Sequence, residues 1–181
     1  MSQDHDRERR RLAYRQAGEA VARYTQGRPV PDLAVDRPPA PALPGEGRSA
    51  RARQVDLGSG TRHKVEMEIL ARWSGLLAEA RACLGDREPS GGWGAAGETL
   101  AALGRRVTRR PDENDAYLQW LQRRALGLID LPDIWAAVEA VAETLLADGK
   151  LGSREVSEIV AGVHRARRRR SGLAGWFRNP R

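Results

Sequence analysis

Arg11-Leu12-Ala13-Tyr14-Arg15-Gln16-Ala17-Gly18-Glu19-Ala20-Val21-Ala22 spaces its apolar residues at a helical period. Across residues 6–25, Leu12, Ala13, Ala17, Ala20, Val21 and Tyr24 recur at steps of three and four, so they form one stripe of an amphipathic helix. Gly27 stops that helix.

Downstream, residues 28–61 hold most of the prolines, among them Pro38, Pro39, Pro41 and Pro44, together with Gly45, Gly47, Gly58 and Gly60. Such residues lack amide donors or hold no regular ladder, which predicts a flexible loop with room for short strands near 33–35 and 53–57. Thr61 is a candidate cap for a second helix reaching about residue 84, with Val65, Ile69, Leu70, Trp73, Leu76, Leu77 and Ala80 on a wide apolar face. A third, glycine-weakened helix is predicted over 93–107. Asp112 is the expected cap of a fourth helix ending near Ile129, whose apolar face carries Tyr117, Leu118, Leu121, Ala125 and Leu128. Asp130 is the expected cap of a fifth, with Pro132 early, where a missing donor costs nothing, and Gly149 at its close. Ser153 is the expected cap of a sixth, with Val156, Ile159, Val160 and Val163 inward. The fold expected is mainly α: about six helices in one compact domain spanning residues 1–164, interrupted by the proline-rich loop. Trp73, Trp93, Trp120 and Trp135 fall within helical patterns and read as packing residues.

The 181 residues carry 31 Lys plus Arg against 24 Asp plus Glu, a net charge of +7. Seven arginines and no acid stand in residues 165–181, so residues 1–164 carry 24 charges of each sign. The body is neutral and the tail is basic. No apolar run approaches the roughly 18–20 residues of a membrane-spanning helix. The opening Met-Ser-Gln-Asp-His-Asp-Arg-Glu passes directly into charged helix rather than a secretion signal, so a cytoplasmic location is expected. A lone Cys83 excludes an internal disulfide and reads as a small core residue. One cysteine with His5, His63 and His164 cannot supply the usual closed zinc site; any zinc would need carboxylates.

The 11–22 stretch resembles the zinc-site helix of the FtsH-type ATP-dependent zinc metallopeptidase family, which reads A-Y-H-E-A-G-H-A-V. Ala13, Tyr14, Ala17, Gly18, Ala20 and Val21 keep the frame, while Arg15 stands for the first His, Gln16 for the Glu and Glu19 for the second His. The similarity continues at 64–84, where Gly75 and Glu79 match fixed points of the family pattern L-A-G-x-A-A-E. In Gly94-Ala95-Ala96-Gly97-Glu98-Thr99-Leu100, Glu98 falls where the family's G-A-S-N-D-L segment has its aspartate zinc ligand. Leu151-Gly152-Ser153-Arg154-Glu155-Val156 is similar to the family's closing segment, and the 181 residues hold no counterpart of the family's ATPase module.

The resemblance implies a peptidase-like helical domain with a degenerate HExxH motif. Two imidazoles four residues apart hold one zinc ion, and the intervening glutamate takes a proton from its bound water. A guanidinium stays cationic and cannot ligate a cation, and an amide cannot act as a base near neutral pH. Arg15, Gln16, Glu19 and Glu98 are therefore degenerate positions, with no catalytic or metal-ligating residue and no cofactor expected. Arg15 is expected to pair with Glu19 or Glu98, and Glu79 to serve as a hydrogen-bonding partner. This implies an inactive, pseudopeptidase domain that binds or regulates, with a protein or peptide partner in the former active-site cleft. The alternative enzyme is a divergent zinc metalloendopeptidase using Glu19, Glu98 and an outside ligand such as His63. A further alternative places function in the tail, where Arg167, Arg168, Arg169, Arg170, Trp176 and Phe177 combine charge with a short apolar patch. Such a tail suits nucleic acid, an anionic membrane or an acidic partner, or serves as a disordered solubilising end.

Overall fold

A Cβ added at Gly18 stands 2.6 Å from Ala78 Cβ and 2.6 Å from the Ser74 carbonyl oxygen, and one added at Gly75 stands 2.6 Å from the Arg15 carbonyl oxygen. The backbones of the first two helices thus meet directly where both sequences supply glycine, and larger residues are excluded there. The computed structural model describes residues 2–35, 58–83 and 93–176. In chain order these form α1 (Ser2–Thr25), β1 (Leu33–Ala34), α2 (Ser59–Cys83), α3 (Gly94–Gly104), α4 (Pro111–Ile129), α5 (Pro132–Asp148), β2 (Lys150–Leu151) and α6 (Ser153–Trp176). The chain is mainly helical, as its periodicity predicts.

Helix α2 is the centre of the molecule. Every residue from Trp73 to Ala80 is buried, because α1, α3 and α4 cover it from different sides. Ile69 and Leu77 of α2 meet a core that includes Ala17 and Val21 of α1, Leu121 of α4, Val138 and Val141 of α5, and Val156 of α6. Full burial of each large aliphatic side chain contributes about 1.5–3 kcal/mol. Trp93 meets Trp73 edge to face, with ring centroids 4.9 Å apart, where α3 approaches α2. Trp120 departs from its expected packing role: it lies to one side of the Tyr117, Leu121 and Ala125 stripe, is 47% exposed, and is covered by Arg124 at 4.8 Å.

The strand expected near 33–35 exists as β1, paired antiparallel with β2 through Leu33 with Leu151 and Ala34 with Lys150. The one expected at 53–57, with most of the proline-rich loop, lies outside the described residues. Helix starts shift relative to the expected caps. Proline fixes its own φ and lacks a donor, so α4 begins at Pro111 with an extended Arg110 before it, and Asp112 is already helical. For the same reason α5 begins at Pro132 after Leu131, and Asp130 instead ends α4. Helix α2 begins at Ser59, ahead of Thr61. Gly149 closes α5 in the left-handed conformation, φ 76°. Ser153 is the first helical residue of α6, and its amide donates to Asp32 Oδ1 at 2.8 Å, while Gly152 N–H donates to Glu155 Oε2 at 2.7 Å. Carboxylates on the donors of a helix start also complement its positive end. The boundary drawn at residue 164 falls inside α6, which runs on to Trp176.

Candidate functional site

Arg15, Gln16 and Glu19 lie on α1, and each of these polar residues has a definite partner. Gln16 faces β1, where its Nε2 donates to the Ala34 carbonyl at 2.9 Å and its Oε1 accepts from the Ala34 amide at 3.0 Å. The neighbouring Val35 amide turns the other way, to Gly149 O at 3.0 Å. Alternation along the strand therefore gives one edge of β1 to β2 and the opposite edge, at Ala34, to a side-chain amide. A carboxamide suits this position because it donates and accepts at once, as a peptide group does.

Arg15 and Glu19 do not pair, contrary to expectation. Glu19 Oε1 accepts from Arg23 Nη2 at 3.0 Å and Nε at 3.2 Å, and Arg15 Nη1 lies 3.9 Å from Glu79 Oε2. Two facts of helix geometry account for the choice. A glutamate placed N-terminal to its cation at four residues is the favoured order, which Glu19 with Arg23 satisfies and Arg15 with Glu19 reverses. Helical side chains also lean toward the N-terminus, which carries Arg15 back toward the end of α2. There Glu79 is buried, as anticipated for a hydrogen-bonding partner, and accepts from Arg11 Nε at 2.9 Å, with Arg11 Nη2 at 2.7 Å. Donation to Glu79 raises the Arg11 pKa above its ordinary value.

Arg23 belongs to a larger cluster. It donates to both oxygens of Glu68, at 2.8 and 2.9 Å, and the same carboxylate accepts from Arg28 and Arg72, each at 3.0 Å. Burial alone would push the Glu68 pKa up; Arg23, Arg72 and Arg28 outweigh it and hold the carboxyl below its usual range.

Glu98 is exposed on α3, and among the described residues the ion pair of Arg15 is with Glu79 and not with Glu98. His63 is likewise exposed, on α2. Among the described residues no three His, Cys, Asp or Glu side chains come together as a metal site. Cys83 is half-buried, and burial pushes its thiol up against the opposing influence of Arg10. The basic residues Arg167, Arg168 and Arg169 are exposed on α6. Arg170 and Trp176 lie on the helical backbone with side chains outside the described set, and Phe177 lies outside the described residues. Among the described residues no helix is long and apolar enough to cross a membrane.

A second feature has no counterpart among the sequence expectations. A groove of about 500 Å³ between the start of α5 and the middle of α6 is lined by Arg81, Asp130, Pro132, Trp135, Ala136, Val163, Ala166 and Arg167. Arg81 lies 3.9 Å over the Trp135 ring and donates to Ile129 O at 2.9 Å. Tyr14 stacks on Trp135, with ring centroids 6.1 Å apart, and Arg10 lies 5.1 Å from the Tyr14 ring. Cation, ring, ring and cation thus succeed one another across three helices. Arg10 and Tyr14 show the i, i+4 spacing in sequence, but nothing local links Arg81 to Trp135.

No protein-family model matches the chain, and no curated protein or solved structure matches it.

Proposed function

We propose that the chain is a catalytically inactive, metallopeptidase-like domain that works by binding or regulating another protein. The observation that carries this reading is the bidentate contact of Gln16 with Ala34. The position where a zinc peptidase of the resembled family keeps its proton-accepting glutamate is here a backbone clamp, and it needs the donor half of an amide that a glutamate at neutral pH lacks. Arg15 and Glu19 support the same reading, since each lies against a charged partner of its own. Gln16 also occupies both polar groups of Ala34 on the outer edge of β1. A peptide partner is therefore recognised through side chains, because strand addition at that residue lacks free backbone groups.

Elemental analysis of the purified full chain, together with casein hydrolysis with and without added zinc and with a chelator, tests the proposal. The expected result is sub-stoichiometric metal and no chelator-sensitive cleavage. Stoichiometric zinc with chelator-sensitive hydrolysis overturns it in favour of a divergent metalloendopeptidase.

A further inference from the structure

We propose that the groove between α5 and α6 is a binding site for a small aliphatic monocarboxylate, a property independent of the α1 motif. Two helix faces form its walls. Pro132, Trp135 and Ala136 stand at i, i+3 and i+4 on α5, and Val163, Ala166 and Arg167 repeat that spacing on α6, so each trio shares one side of its helix. The methyl side chains of Ala136 and Ala166 leave the space between the walls unfilled. Its volume of about 500 Å³ lies within the range of about 300–1,000 Å³ common to small-molecule sites. Trp135 and Val163 are half-buried and Ala166 is exposed, so the groove opens to solvent. Apolar surface left open in this way gains free energy when an apolar ligand covers it.

Arg81 supplies the polar end of the site. Its guanidinium is held from two sides, by the Trp135 ring at 3.9 Å and by the Ile129 carbonyl, to which Nη1 donates at 2.9 Å. Asp130 Oδ1 stands 3.6 Å from the same nitrogen. Among the described residues Nε and Nη2 have no hydrogen-bond partner, so the edge of the guanidinium that receives a carboxylate side-on, through two parallel bonds, is unoccupied. Asp130 lies toward Nη1, away from that edge. A cation already held in place loses little freedom when a ligand binds. Arg167 has an interaction of its own within the protein, so the carboxylate is assigned to Arg81 alone.

The ring contacts select an aliphatic body for the ligand. The Trp135 ring is already engaged by Arg81 at 3.9 Å and by Tyr14 at 6.1 Å, which leaves an aromatic ligand little face on which to stack. A saturated chain needs no such face, only contact with Pro132, Ala136, Val163 and Ala166. An alkylammonium ion would meet Arg81 as a like charge and would find the indole covered by another cation.

The test is isothermal titration calorimetry of the full chain at pH 7 with octanoate below its micelle-forming concentration, and with octanol, octylammonium and phenylpropanoate in parallel. Octanoate should bind at a single site. Octanol should bind about tenfold more weakly or worse, because it lacks the charged hydrogen bonds, and octylammonium more weakly still. Shortening the acid to hexanoate should weaken binding about two- to fourfold per methylene, from half to full burial of the chain. R81Q should weaken octanoate by about tenfold or more and leave octanol unchanged. Since Arg81 also holds the end of α4, A166W is the second variant: its position is exposed, and the added indole fills the groove and should abolish binding of both octanoate and octanol. Thermal unfolding by circular dichroism checks that the variants remain folded; if R81Q does not, A166W and the comparison of ligands decide. Undiminished octanoate binding by folded R81Q or folded A166W overturns the proposal, as does equal affinity for octanoate and octylammonium or no saturable binding of octanoate. Tighter binding of phenylpropanoate than of octanoate overturns it in favour of an aromatic acid.

Discussion

The Gln16 side chain and the Ala34 peptide group form a reciprocal pair, each donating to and accepting from the other at 2.9–3.0 Å. Gln16→Glu keeps the acceptor and loses the donor, leaving the Ala34 carbonyl opposite a carboxylate. The expected cost is about 1–3 kcal/mol, measured by urea unfolding at pH 7, with no gain of peptide hydrolysis. The introduced carboxyl has a raised folded-state pKa, because its protonated form alone can donate to Ala34. Its destabilising effect should therefore shrink as the pH falls, which a titration of the difference in unfolding free energy would reveal.

Substitution of Gly75 by Ala places a methyl group against the Arg15 carbonyl and forces α1 and α2 apart. A loss of about 1–3 kcal/mol is expected, seen as a lower Tm. Gly127 on α4 has nothing within 4 Å of an added Cβ, so Gly127→Ala should instead stabilise, by about 0.5–1 kcal/mol. Opposite signs from the same substitution separate helix contact from helix propensity.

Glu68 links stability to acid. Its pKa is lowered in the folded chain by Arg23, Arg72 and Arg28, acting against burial. The contribution is therefore complete above the unfolded-state carboxyl value and is lost as the pH falls through the lower folded-state value. Urea unfolding from neutral pH into the acid range should show this decline, and Glu68→Gln should flatten it while lowering stability at pH 7.

Tyr117 predicts the opposite pH limb. Burial first, and Glu66 second, push its phenol up to about 12 against the influence of Arg62. Because the neutral phenol is favoured in the folded state, this contribution is present below about pH 10 and is lost as the pH rises toward the folded-state value. Ultraviolet difference absorption should show two tyrosines ionising late, since burial raises Tyr14 as well, and Tyr117→Phe should remove the later step.

The helical period of Ala13, Ala17, Ala20 and Val21 made the buried face of α1 readable from sequence, and Gly149 marked the end of α5 plainly. Caps were less legible: Asp112 and Asp130 are good capping residues, yet the neighbouring prolines set where each helix begins. The partner of Arg15 depended on Glu79, distant in sequence, and on the competition of Arg23 for Glu19. Spacing reveals which side chains share a helix face, but the approach of Arg81 to Trp135 depends on how α2 and α5 cross. That dependence kept the groove beside Trp135 out of reach until the fold was known. The exposed basic run was legible as charge, whereas its continuation as helix beyond His164 required the structure.

The hydrogen bond from the Ser153 amide to Asp32 joins positions 121 residues apart. During synthesis from the N-terminus, β1 lacks β2 and Asp32 lacks the amide that it accepts from until residues 150–153 have emerged from the ribosome. Closure is thus a late event, and a chain released early, before residue 150, has neither the strand pair nor the final helix that would complete its fold.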